Sequence, residues 1–123
     1  MNPSLFLSAL LFWSAVHFLA DFAFQSAWMA TMKSPLINKG QPEAGGASAN
    51  EILLYHCLTY TATFVVAARV LGIASNPLAF LAIFLAHMVV DYHKARKLYV
   101  KTIWLDQILH LLTLLPLIAI GWL

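Results

Sequence analysis

Charge is what this 123-residue chain has least of: 10% of its residues are Asp, Glu, Lys or Arg, against about 25% in an ordinary soluble domain. A chain that is 62% hydrophobic cannot cover a water-facing surface with so few charges. That excludes a soluble globular domain and points to a single-domain integral membrane protein. Cysteine is nearly absent as well. Cys57 stands alone, so no intrachain disulfide can form and no redox compartment is marked. The net charge is only +2, with the basic residues beside apolar segments, which fits membrane orientation and excludes a nucleic-acid surface. No Lys or Arg precedes the first apolar run. That run also exceeds the roughly 7–15 residues of a signal-peptide core, so it reads as a retained span.

Four apolar segments follow one another, at about residues 5–24, 51–71, 77–94 and 103–122. Each approaches the ~20 residues that cross a hydrocarbon core, and together they predict an all-α, four-helix transmembrane bundle. The pattern allows helix to continue beyond the first span, through Trp28 to Met32, until Ser34-Pro35 breaks it. Residues 34–50, rich in Gly, Ala and polar side chains from Lys39 onward, predict a flexible loop. Pro77 is placed as the first residue of the third helix. Lys33 and Lys39 follow the first span, and Lys94, Arg96, Lys97 and Lys101 follow the third, whereas Arg69 is the basic residue at the opposite ends. By the positive-inside rule both basic loops face the cytoplasm and both termini lie outside.

Within these apolar segments stand seven ionisable side chains, six of them in pairs spaced four residues apart: His17 and Asp21, His87 and Asp91, Asp106 and His110. His56 is the seventh. Four-residue spacing puts both members of a pair on one helix face. At ~1.5 Å per residue, all seven fall roughly 5–10 Å from the cytoplasmic ends of their spans, in one layer. A weak internal repeat agrees: residues 15–22 (AVHFLADF) resemble residues 85–92 (LAHMVVDY), each opening a hairpin whose second helix carries His56 or His110 near its start. Two parallel-related hairpins bring the pairs together.

Imidazole and carboxylate one turn apart can reach a single divalent cation, and nitrogen and oxygen donors suit Zn, Mn, Fe or Ni. The expected ligands are His17, Asp21, His87, Asp91 and His110, with Asp106 or His56 as general base or orienting group. One metal, or two close together, fits this inventory. The alternative is a structural network, since polar side chains hydrogen-bond across membrane helices. Aspartate is a costly choice for that purpose, at ~2.5–3.5 kcal/mol near a bilayer centre. Lys94, three residues after Asp91, is a candidate partner for it. Gln25 and Gln107 extend the polar layer, His93 is interfacial, and Lys94, Arg96, Lys97 and Lys101 can meet anionic lipid headgroups.

The ordered pattern His17…Asp21…Gln25…Trp28…Lys33, lone His56, His87…Asp91…Lys94, then Asp106-Gln107…His110 resembles a family of small bacterial and phage-encoded membrane proteins of unknown function. The resemblance covers the chain outside the loop from Lys39 to Asn50 and implies a four-helix membrane protein. The HxxxD element is also similar to motifs of inner-membrane metal-dependent hydrolases and to zinc-site helices of cation diffusion facilitators. The functional expectation is a metal-dependent hydrolase acting on a lipid or phosphate ester at the cytoplasmic face. Metal or proton translocation is the alternative, with few polar residues in the outer halves to form a route. A non-catalytic interaction subunit, with the polar layer as a structural lock, is the third. Translocation would call for a homo-oligomer, because four helices leave scant room for a pathway.

Overall fold

Every long helix of the chain starts on a side chain that satisfies its first amides. The computed structural model describes residues 2–40 and 45–123, and among these the secondary structure is helical throughout. Asn2 caps α1 (Pro3–Phe18) by accepting from the Ser4 amide. Ser48 and Glu51 form a reciprocal capping box on α4 (Ala49–Val70). Asn76 caps α5 (Pro77–Ala95), whose first residue is the proline, and Thr102 caps α6 (Ile103–Ala119). Between α1 and α4 lie two short helices, α2 (Ala27–Met32) and α3 (Pro35–Asn38).

The helix ends differ from the apolar segments in ways the backbone explains. Apolar sequence continues to Leu123, yet α6 stops at Ala119, because Gly121 turns into the left-handed region at φ 72°. The Trp122 amide then donates back to the Leu117 carbonyl at 2.8 Å, closing the end. In the expected loop 34–50, residues 41–44 lie outside the described residues. Much of the rest is folded. Buried Asn38 donates from Nδ2 to the carbonyls of Met32 and Ala47, at 3.0 and 3.2 Å. Ser34 Oγ donates to the Ala95 carbonyl at 2.7 Å, tying this segment to the end of α5.

The four long helices alternate in direction and pack α1 on α4, α4 on α5, α5 on α6 and α6 on α1. The α1–α4 seam reads as an antiparallel ladder. Trp13 stacks on Phe64 with centroids 5.6 Å apart, His17 faces Tyr60, and Asp21 faces His56. One half of the interior is apolar, filled by Trp13, Phe64, Ile83, Leu114 and Ile118. The other half holds His17, Asp21, His56, His87, Asp91, Asp106 and His110, all buried. Leu5, Leu11, Leu58, Val66, Leu81, Val89 and Leu112 point outward instead. Polar inside and apolar outside is the inverse of a water-soluble surface, and it suits a hydrocarbon surround. Three helical segments, Pro3–Ala23, Ala49–Val70 and Pro77–Ala95, are long and apolar enough to cross a membrane, and α6 is a shorter apolar helix.

Candidate metal centre

Asp21 sits in a break from α-helical geometry. Directly after α1 the chain widens into a π turn over Leu19–Ala23, closed by the Phe24 amide donating to the Leu19 carbonyl at 3.0 Å. Such turns insert a residue and re-aim side chains. The turn begins between His17 and Asp21, so this pair diverges. His17 turns to Tyr60 and Gln107, and Asp21 turns to His56 and His87. The other two pairs keep their shared face. His87 Nε2 is 3.8 Å from Asp91 Oδ2, and His110 Nε2 is 3.6 Å from Asp106 Oδ1.

Four side chains from three elements converge. His56 Nε2 lies 3.3 Å from Asp21 Oδ1, 3.2 Å from Asp91 Oδ2 and 3.0 Å from His87 Nε2. His87 Nε2 lies 3.9 Å from Asp21 Oδ1. Donor atoms bound at about 2.0–2.1 Å around a tetrahedral ion stand about 3.3 Å from one another. The observed separations scatter about that value, and all four donor atoms fall within 4.8 Å of each other. A second group, Asp21, Asp106 and His110, meets the same limit and shares Asp21 with the first.

The surroundings hold these donors in place. Gln107 Nε2 donates to Asp21 Oδ2 at 2.8 Å and to Asp106 Oδ2 at 3.1 Å, which leaves the Oδ1 of each turned to histidine. Gln107 Oε1 in turn accepts from His17 Nε2 at 2.8 Å, so His17 Nδ1 accepts the Tyr60 hydroxyl proton at 2.8 Å. Gln25 Nε2 lies against the His56 ring, 3.0 Å from Nδ1 and 2.9 Å from Nε2. Lys33 reaches in from the end of α2 to donate to Asp91 Oδ2, and Lys94 donates to Asp106 Oδ2. Two ammonium groups thus offset part of the charge of three buried carboxylates.

Among the described residues, three polar atoms of the cluster are buried without a hydrogen-bond partner: His87 Nδ1, Asp106 Oδ1 and His110 Nε2. Each such atom costs about 1–3 kcal/mol, and a bound ion is one of the ordinary explanations for Asp106 Oδ1 and His110 Nε2, which face each other at 3.6 Å. Beside the cluster opens a cavity of about 480 Å³, onto which all three aspartates face. Lys33, Lys94 and Lys97 supply its cationic rim, and Phe22, Ile37 and Ile103 part of its apolar wall.

The sequence-based set is redistributed by this geometry. Asp21, His87 and Asp91 come together as expected. His56, expected as base or orienting group, stands at the centre of the four. His17, expected as a ligand, has both ring nitrogens engaged and acts on the site through Gln107. His110 and Asp106 form the adjoining group. Lys94 pairs with Asp106 and not Asp91, because Lys33 already holds Asp91. The residues that sequence reasoning missed are Tyr60 and Lys33. Tyr60 stands four residues after His56, the same spacing that singled out the pairs. Lys33 was legible as a topology charge and as part of the ordered pattern, but not as the partner of Asp91, which is 58 residues away.

No curated protein and no solved structure matches the chain. Residues 6–122, nearly its whole length, match the family described as "Protein of unknown function (DUF3307)", and the chain belongs to that family.

Proposed function

We propose that this protein is a divalent-metal-dependent hydrolase embedded in a bacterial inner membrane, acting on an amphiphilic phosphate ester. The ion would be held by His56, His87, Asp21 and Asp91. The observation that carries this reading is the set of separations among those donors, near the edge length of an ion's coordination shell. Mn or Fe in a six-coordinate shell, or Zn in a five-coordinate one, keeps room for water beside four protein ligands. A bound divalent ion lowers the pKa of such a water to about 7 and turns it into a nucleophile. Asp106, which lines the same cavity and has no hydrogen bond on Oδ1, would be the group to take its proton while this ion alone is bound. The cationic rim and apolar wall support a substrate with a phosphate at one end and hydrocarbon at the other. In this reading both basic loops face the cytoplasm, and the substrate enters from that leaflet.

A metal-free reading has its own support in the Lys33–Asp91 and Lys94–Asp106 pairs, which make a charge-compensated polar lock of the same residues. Translocation finds less, because Trp13, Phe64, Ile83, Leu114 and Ile118 pack the other half of the bundle with apolar side chains. Elemental analysis of the detergent-purified protein beside a His87→Ala/Asp91→Ala double variant separates the first two. Stoichiometric Zn, Mn or Fe in the parent and none in the folded, monodisperse variant is the expected result. Phosphate-ester hydrolysis that depends on the same ion would follow. A parent that stays metal-free after incubation with Zn, Mn, Fe and Ni would leave the polar lock.

A further inference from the structure

We propose that the centre holds a second divalent ion, bound by His110, Asp106 and Asp21, with the Asp91 carboxylate bridging the two. The inference rests on the metal reading of the first site and extends it. The two oxygens of Asp91 face different histidines: Oδ2 lies 3.2 Å from His56 Nε2, and Oδ1 lies 3.4 Å from His110 Nε2. His110 Nε2 is in turn 3.6 Å from Asp106 Oδ1. These separations again lie near the roughly 3.3 Å between donors of one small ion. A carboxylate with one oxygen to each site, as Asp91 has, can link two ions held close together.

Two of the three unpartnered buried atoms of the cluster, Asp106 Oδ1 and His110 Nε2, belong to this second group. Both residues are more than nine-tenths buried, at 3% and 1% exposure. Neither atom is idle for want of neighbours. Lys94 and Gln107 both bind the other oxygen of Asp106 and orient the free one inward. The supports of a metal ligand are therefore in place around a carboxylate that makes no hydrogen bond through its presented atom. With three protein donors and Asp91, the second ion keeps a position open toward the cavity that Asp106 lines.

Charge decides the companion. Three aspartates against Lys33 and Lys94 leave one negative charge when the histidines are neutral. One divalent ion reverses that to one positive charge, and a second raises it to three. In a buried site that excess calls for an anion bound with the second ion, and the cavity with Lys33, Lys94 and Lys97 on its rim is where an anion can sit. Inorganic phosphate is the simplest probe of that chemistry.

The test is Mn(II) titration of the full chain in detergent, with inorganic phosphate present, read by bound-metal stoichiometry and by electron paramagnetic resonance. Two Mn per chain with an exchange-coupled spectrum is the expected result. Asp106→Asn should then bind one Mn with an isolated six-line spectrum, a result that itself reports a folded first site. One Mn in the parent, or two without coupling, overturns the bridged pair while leaving the first site intact. Two coupled Mn in Asp106→Asn overturns the assignment of Asp106 as ligand. No Mn in either protein removes this proposal, and the metal reading beneath it falls only if Zn, Fe and Ni also fail to bind the parent.

Discussion

The phenol ring of Tyr60 lies flat on the imidazole of His87, with centroids 3.6 Å apart and planes 8° from parallel. The same side chain reaches His17 Nδ1 with its hydroxyl, at 2.8 Å. Tyr60 thus braces two histidines of the cluster by two different means. Tyr60→Phe keeps the stack and strips His17 Nδ1 of its donor, at an expected cost of about 1–3 kcal/mol. Tyr60→Ala also opens a cavity and should cost about 3–5 kcal/mol. Unfolding in detergent measures both, and equal losses would show that the stack contributes nothing.

Lys33 is the cation of the Asp91 carboxylate, its side chain 10% exposed beside one that is 2% exposed. Removing one partner of a buried pair strands the other, at about 3–5 kcal/mol. Lys33→Met should destabilise the metal-free protein by that amount, and a divalent ion should restore most of it by taking over the role of the ammonium. Thermal unfolding with and without Zn reads the difference. The same loss in both conditions would show that ion and ammonium do not share Asp91.

His17 and His56 have opposite standing in the site despite their similar burial. His56→Ala removes a proposed ligand and should abolish stoichiometric metal binding. His17→Ala leaves the four donors but frees the Gln107 amide that positions Asp21 and Asp106. Loss of such a support weakens metal affinity by about 10–100-fold. Competition with a chelator ranks the two variants. Equal abolition would make His17 a ligand itself.

Orientation can be read from the loop after α5. Lys97 is exposed there, while Cys57, the native thiol, is fully buried. Lys97→Cys should react with a membrane-impermeant maleimide in inverted membrane vesicles and not in right-side-out ones. The parent protein should stay unlabelled in both. Labelling confined to right-side-out vesicles would reverse the proposed topology.

The number and class of the long helices were legible in sequence because hydropathy and capping are local. Twenty-residue apolar runs, Pro77 behind Asn76, and Ser48 three residues before Glu51 each act through neighbouring residues. The roster of polar residues was legible for the same reason, since an ionisable group in an apolar run stands out whatever it touches. Its partition was not. Whether His17 or His56 joins Asp21 depends on the π turn at Leu19–Ala23, and no pattern in the residues marked that turn. Which lysine holds Asp91 depends on α2 folding back over the bundle end, a contact across 58 residues. Composition and periodicity thus determined a four-helix bundle with a buried His/Asp layer. Only tertiary packing decided the grouping of its donors, because a shift of one residue in a helical turn swings a side chain by about 100°, from one neighbour to the next.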